Sequence, residues 1–386
     1  MSSTVQTLRG AQPVSGPDKI RVMVVDDAVI VRSLLSRWIN EAPGLHLAAS
    51  LRNGIEAIER LDEADPDVVV LDVEMPGLDG ISTLPKLLAR RRDLVVIMAS
   101  ALTRDHAEVT LKALSLGAAD YIPKPAAEGG MITSASFRRE LVEKIRALGV
   151  RRRRRLSRQP LGARRPAALA MRLPAPAEPQ RKTFKLRPFS VLPPRVLLIG
   201  ASTGGPQVLT KLLPRLSDVA GVAPILITQH MPPMFTTILA EHLSRIGGRP
   251  VREATHGEPV VAGRIYLAPG GKHMTVARQG RAVTVVLDDG PPMHFCRPAV
   301  DPLFASAAEV WGSCTLGLIL TGMGVDGTAG AAKIVAGGGS VIAQDEATSA
   351  VWGMPGSAVA AGVCAAVTPL DQIASRITRM FLGAAS

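Results

Sequence analysis

Three residues in the second half of the sequence are of the types that acyl-transfer chemistry needs. Ser202 stands in "GASTGG", between Gly200 and the pair Gly204 and Gly205, directly after the apolar run "RVLLIG". His230 closes "APILITQH", and Asp326 lies in "TGMGVDG" immediately after "TLGLIL". A serine hydroxyl is a poor nucleophile until a neighbouring base takes its proton, and a carboxylate that orients the base completes the set. Backbone N–H groups in a sharp strand-to-helix turn would face the developing oxyanion. The alternative is that Ser202 is only a small residue capping a helix. "GASTGG" is not a phosphate loop, because no Gly-Lys-Ser/Thr follows, and it lacks the Gly-x-Gly-x-x-Gly of a dinucleotide site.

The first half carries a different set. Asp26 and Asp27 follow "VMVV", Asp72 ends "DVVVLD", and Lys124 sits in "YIPKP". Carboxylates gathered in one cleft repel each other, and a hard divalent cation with oxygen ligands holds such a cluster together, so Mg²⁺ is expected on Asp26, Asp27 and Asp72. A carboxylate beside Mg²⁺ can accept a phosphoryl group, which assigns Asp72 as acceptor and Lys124 as its counter-ion. Ser100, ending "VVIMAS", would donate a hydrogen bond to the new phosphate, pull its loop and let Tyr121 repack. Singly, each of these residues has a plain reading as a turn residue or a surface charge.

Both sets require parallel sheets, because open α/β sheets place their ligands at strand carboxyl ends. The pattern supplies them: branched runs such as "IRVMVV" and "LVVIMAS" alternate with helical patterns such as "VIVRSLLSRWI" and "AEVTLKALSL", and the alternation returns after residue 190. The region from Val251 to Asp289, with "GRIYLAP" and "RAVTVVL" around glycine turns, is expected to form hairpins beside the second sheet. Of seven histidines only His230 ends a long apolar run; His242 falls in an amphipathic helix, and structural or solvated roles suit His256, His273 and His294. The spacing predicts two doubly wound α/β domains. The chain is expected to divide into a disordered tail at 1–18, a first domain at 19–137, an Arg/Pro/Ala-rich linker at 138–190 and a second domain at 191–386.

The formal charge of +12 is concentrated between Arg138 and Arg187, around "RRRRR" at 151–155, so it describes a segment whose default is a solvated chain. Cys296, Cys314 and Cys364 show no Cys-x-x-Cys spacing, which argues against a zinc site or disulfides and leaves them as small core residues. No run of about 18 apolar residues and no apolar signal-peptide centre occurs, which predicts a cytoplasmic protein without membrane insertion.

"VVDD", "LDVEMPGLDG", "MAS" and "KP" together resemble the flavodoxin-like receiver domain of two-component response regulators. "GASTGGP", "QHMP", "LAPGGKHM", "LTGMGVDG" and "QDEATSAVWGMP" resemble the Rossmann-like catalytic domain of the chemotaxis protein-glutamate methylesterases, the CheB family. The resemblance implies Ser202 as nucleophile, His230 as general base and then acid, and Asp326 as the group orienting the imidazole. It also places Thr203 and the backbone of Met323 around the oxyanion. It implies hydrolysis of glutamate methyl esters on methyl-accepting chemotaxis receptors, deamidation of receptor glutamines, a chemotaxis histidine kinase as phosphodonor and recruitment to membrane receptor arrays. No cofactor is implied for the ester reaction. The receiver is expected to cover the catalytic cleft until Asp72 is phosphorylated. Two rivals stand beside this reading. A catalytically silent receptor-binding module would keep the fold, and a DNA-binding regulator would suit the basic charge, but no helix-turn-helix pattern follows the linker, so no DNA partner is expected. One departure from the receiver pattern is that Ala99 and Ala101 flank Ser100.

Overall fold

Strands buried on both faces read as nearly unbroken apolar runs, and central strands such as Val68–Asp72, Val196–Ala201 and Thr315–Ile319 obey that rule. A computed structural model describes residues 19–101, 103–124, 135–158 and 184–383, without the side chains of 155–158. The first sheet contains β1 (Ile20–Val25), β2 (Leu45–Leu51), β3 (Val68–Asp72), β4 (Val95–Ser100) and β5 (Asp120–Pro123). Its order is β2-β1-β3-β4-β5 with every pair parallel, as the βα alternation predicts, and this is the flavodoxin-like arrangement that the receiver resemblance implies. All five residues of β3 are buried, so the chain delivers Asp72 to the carboxyl edge at the end of a wholly internal strand.

The second sheet has seven parallel strands in the order β14-β13-β12-β6-β7-β9-β8. These are β6 (Val196–Ala201), β7 (Ile225–Gln229), β8 (Val251–Glu253), β9 (Ile265–Leu267), β12 (Thr315–Ile319), β13 (Ser340–Gln344) and β14 (Ala366–Thr368). From β6 the chain moves to β7 on one side, while β12 pairs on the other, so the switch point lies between β6 and β12. A crevice opens at the carboxyl ends of such a pair. The expected hairpins are only partly present. β10 (His273–Gln279) and β11 (Ala282–Asp288) form an antiparallel pair, but "GRIYLAP" supplies β9, which pairs parallel with β7 and β8. The cause is burial: Ile265, Tyr266 and Leu267 are all fully buried, so the segment serves as an internal strand rather than a half-exposed hairpin arm.

The linker boundary at 138 is also corrected. A helix spans Ala135–Arg158, and its Phe137, Leu141, Ile145 and Leu148 are buried against the first sheet at helical spacing. Arg152 and Arg153 in it are ion-paired rather than free. Arg152 Nη1 lies 2.6 Å from Asp67 Oδ1, Arg153 Nη2 lies 2.6 Å from Asp67 Oδ2, and Arg152 also pairs with Asp93 at 2.7 Å. At the other end of the expected linker, Arg187 N–H donates to the Cys364 carbonyl and Ser190 N–H to Ser340 Oγ, fixing residues 184–190 on the second domain. The tail 1–18 and linker residues 159–183 lie outside the described residues.

Because Asp67 is buried and receives these guanidinium groups and the Arg21 N–H, Asp67→Ala should destabilise the first domain by about 3 kcal/mol. Urea unfolding followed by tryptophan fluorescence checks this through Trp38, which packs in the same domain. An unchanged midpoint would show that the arginines contribute nothing to holding the helix.

Candidate active site

The second sheet brings the three chemical residues of the second half to one crevice. Ser202 follows β6, His230 follows β7 and Asp326 follows β12. Gly204, with φ +74°, turns the chain after Ser202 into the helix Gly205–Leu212. Gly322 backs the serine: a Cβ there would stand 2.8 Å from Ser202 Cβ and 2.3 Å from Met354 Sδ, so only glycine lets the two loops meet.

His230 Nε2 lies 2.7 Å from Asp326 Oδ2. Asp326 is itself held by three backbone N–H groups. Val300 N donates to Oδ2 at 2.6 Å, while Asp301 N and Gly327 N donate to Oδ1 at 3.0 and 2.8 Å. Two of those donors open the helix Val300–Trp311, whose N-terminal dipole favours negative charge. Burial alone would raise the Asp326 pKa, but the hydrogen bond and charge of His230 and the backbone donors outweigh it, so the carboxyl is held below its ordinary value. For His230, burial pulls the pKa down, and the Asp326 hydrogen bond together with Cys296 overcomes this and raises it to about 10. With Nε2 engaged by Asp326, Nδ1 is the ring nitrogen left to take a proton. No hydrogen bond joins Ser202 Oγ to the imidazole among the described residues, although both line one cleft of about 330 Å³ with Thr203 and Met323.

Two neighbours escaped the sequence reading. Cys296, expected in the core, is half-buried and stands beside His230; Cys314 is half-buried as well, and only Cys364 is buried. Asp301 is buried, accepts from Gly330 N at 2.6 Å and lies 3.2 Å from His294 Nε2, which makes a second His–Asp pair beside the first. Only proximity along "CRPAVD" hinted at either residue, and periodicity cannot tell a cleft from a core. His256 and His273 are structural as expected, through backbone partners at Leu287 for one and at Pro291 and Ala299 for the other.

The first domain gathers its set equally closely. Lys124 Nζ lies 2.7 Å from Asp72 Oδ2 and 2.8 Å from Asp26 Oδ2. Ligand atoms of Asp26, Asp27 and Asp72 lie within 4.8 Å of one another, three hard carboxylate oxygens that fit Mg²⁺. Burial raises the Asp72 pKa to about 6 against the opposing pull of Lys124. Ser100 is buried, with its hydroxyl accepting from Thr110 Oγ1 at 2.8 Å and donating to the His106 carbonyl at 3.3 Å.

Tyr121 joins the two halves. It is buried and stacks on Phe235 of the second domain with ring centroids 4.8 Å apart. Around that stack, Gln207 Nε2 donates to the Ala118 carbonyl at 2.9 Å, Arg104 meets Glu241 at 3.1 Å, and the Arg139 guanidinium lies 4.0 Å from the centre of the Phe295 ring. Asp120, Tyr121, Pro123 and Arg139 of the first domain therefore line the cleft that holds Ser202 and His230.

Comparison with known proteins accounts for both halves. Residues 22–136 match the response regulator receiver domain, and residues 197–377 match CheB methylesterase. A protein-glutamate methylesterase/protein-glutamine glutaminase of Bradyrhizobium diazoefficiens is 55% identical, covering 97% of this chain and 96% of its own. One from Rhodopseudomonas palustris is 56% identical over 95% of each chain. The solved CheB methylesterase catalytic domain of Thermotoga maritima is 40% identical, covering 49% of this chain and 100% of its own, with a TM-score of 0.47. With relatives this similar over nearly its whole length, the chain belongs to the CheB methylesterase family and carries a response regulator receiver domain ahead of its methylesterase domain.

Proposed function

We propose that the protein hydrolyses methyl esters of glutamate side chains on methyl-accepting chemotaxis receptors, under control of Asp72 phosphorylation. The observation that carries the reading is the convergence of Ser202, His230 and a four-fold hydrogen-bonded Asp326 at the switch point of the second sheet. His230 takes the Ser202 proton, Ser202 Oγ adds to the ester carbonyl carbon, and the tetrahedral oxyanion faces the Thr203 and Met323 N–H groups. The C–O bond to the methoxy group then breaks, His230 protonates the departing oxygen and methanol leaves. Water, activated by the same imidazole, hydrolyses the acyl-enzyme to the free glutamate. A glutamine side chain passes through the same kind of intermediate with ammonia as leaving group, and the names of the relatives support this second activity.

The receiver acts as a cover. Asp26, Asp27 and Asp72 would hold Mg²⁺, which when bound supplies positive charge for the phosphoryl oxygens. Lys124 pairs with Asp72 before phosphorylation and meets the phosphate afterwards, while Ser100 turns toward the new oxygens and Tyr121 loses its stack on Phe235. The phosphodonor is a chemotaxis histidine kinase and the substrate lies on receptor arrays. No helix among the described residues is long and apolar enough to cross a membrane.

Methanol release from methylated receptor membranes tests both parts. Wild type should release methanol and accelerate several-fold with a small phosphodonor and Mg²⁺, whereas Asp72→Asn should keep the basal rate and lose the response. A chain lacking residues 1–183 should be constitutively fast. No methanol from wild type under any condition overturns the activity, and an unchanged or lower rate in the truncated chain overturns the cover.

A further inference from the structure

Gln229 ends β7, immediately before His230, and is 1% exposed. Its Nε2 donates to the Ser202 carbonyl at 2.9 Å and to the His230 carbonyl at 3.3 Å, so one carboxamide spans the backbones of the proposed nucleophile and base. The amide orientation follows from those partners, since the reverse would set Oε1 against two carbonyl oxygens. The group has no slack. A Cβ on Gly205 would fall 2.0 Å from Gln229 Oε1, so the carboxamide packs directly against the start of the helix Gly205–Leu212.

In a trans peptide the C=O and the following N–H point in opposite directions. The Ser202 carbonyl shares its peptide unit with the Thr203 N–H, and it accepts a second bond from Gly205 N at 2.7 Å. Anchoring that carbonyl twice therefore aims the Thr203 N–H the other way. Each bond also polarises the unit and makes the N–H a stronger donor. The partner peptide is built alike. The Gly322 carbonyl, in the same unit as the Met323 N–H, accepts from Gly353 N at 3.0 Å and Met354 N at 2.9 Å. Neither the Thr203 nor the Met323 N–H has a hydrogen-bond partner among the described residues, and both residues line the cleft.

We infer that Gln229 is a positioning residue of the ester hydrolysis: its carboxamide fixes the Ser202–Thr203 peptide so that the Thr203 N–H meets the tetrahedral oxyanion, and ties that peptide to the backbone of His230. The inference rests on the assignment of Ser202 as nucleophile. It predicts an effect on the transition state that substrate binding does not share.

The test uses the full chain with phosphodonor, comparing wild type, Gln229→Met, Gln229→Glu and Ser202→Ala. Methyl ester hydrolysis is measured alongside inhibition by an alkyl boronic acid, whose boron takes Ser202 Oγ to form a tetrahedral anion. Loss of a whole oxyanion donor costs about 10²–10³-fold in kcat, and a misaimed one should cost about 10- to 100-fold. Both Gln229 variants should therefore lose that factor in kcat, with KM within about twofold of wild type and boronate affinity falling in step with kcat. Gln229→Glu keeps the size of the side chain, so it serves if Gln229→Met does not fold. A folded variant with kcat within twofold of wild type, or a kcat loss without a matching loss of boronate affinity, overturns the inference. An inactive Ser202→Ala beside fully active Gln229 variants sinks this inference alone. A fully active Ser202→Ala sinks the nucleophile assignment beneath it.

Discussion

Ser202→Ala should abolish measurable methanol release while leaving the fold intact. The expected loss is on the order of 10⁴- to 10⁶-fold, the range found when the nucleophile of a serine triad is removed. The fold should survive because Ser202 Oγ makes no hydrogen bond among the described residues, and alanine fits the space that Gly322 leaves beside Cβ. Far-ultraviolet circular dichroism and thermal unfolding would verify the fold, and trapping of the wild-type serine by a fluorophosphonate, absent in the variant, would verify the site. Cys296 makes the result informative, because it also stands beside His230 in the same cleft. Retained activity in Ser202→Ala that disappears in Ser202→Ala/Cys296→Ser would move the nucleophile from the serine to the thiol.

Asp326→Asn should lower kcat by about 10⁴-fold and change the pH profile in a defined direction. The carboxylate accepts from His230 Nε2 and three backbone N–H groups; an asparagine keeps some backbone bonds through its carbonyl but directs its amide nitrogen at other donors. The imidazole then loses the acceptor that fixes its tautomer. Since the folded-state pKa of His230 is raised to about 10, the protonated ring contributes stability below its ordinary pKa of about 6.5, and that contribution is lost as pH rises through about 10. A protonated ring cannot accept the serine proton, so the wild-type rate should climb with pH from neutrality into the alkaline range. In Asp326→Asn the residual rate should reach its plateau at lower pH, near the ordinary histidine value. Initial rates between pH 6 and 10, corrected for spontaneous ester hydrolysis, check this. An identical limb in both proteins would show that Asp326 does not set the charge of the base.

Both predictions concern residues that the sequence already singled out, and the reason lies in how parallel sheets are built. Strands such as Val196–Ala201, Ile225–Gln229 and Thr315–Ile319 are buried throughout, so they read as short apolar runs, and the polar residue after each run must sit at the carboxyl edge. The same logic located Asp26, Asp27 and Asp72. It could not separate residues of one type by environment. Cys296 and Cys364 look alike as small apolar side chains, yet one stands beside His230 in the cleft and the other is buried. Nor could periodicity reveal Gln229, whose importance lies in two carbonyls that approach it only after β6 and β7 pair.

Composition misled where charge partners were distant. The arginine run at 151–155 resembles a solvated tether, but Arg152 and Arg153 meet Asp67, more than 80 positions earlier, and a helix that reads as linker becomes part of the first domain. The sequence by itself determined the two α/β domains and which strand ends carry Ser202, His230, Asp326, the carboxylates of the first domain and Lys124, because burial periodicity and strand-end placement are local properties. Only the tertiary structure decided that Tyr121 stacks on Phe235 and that the first domain lines the cleft of the second. Such contacts join surfaces distant in the chain, where shape and charge complementarity settle the pairing and no local pattern records it.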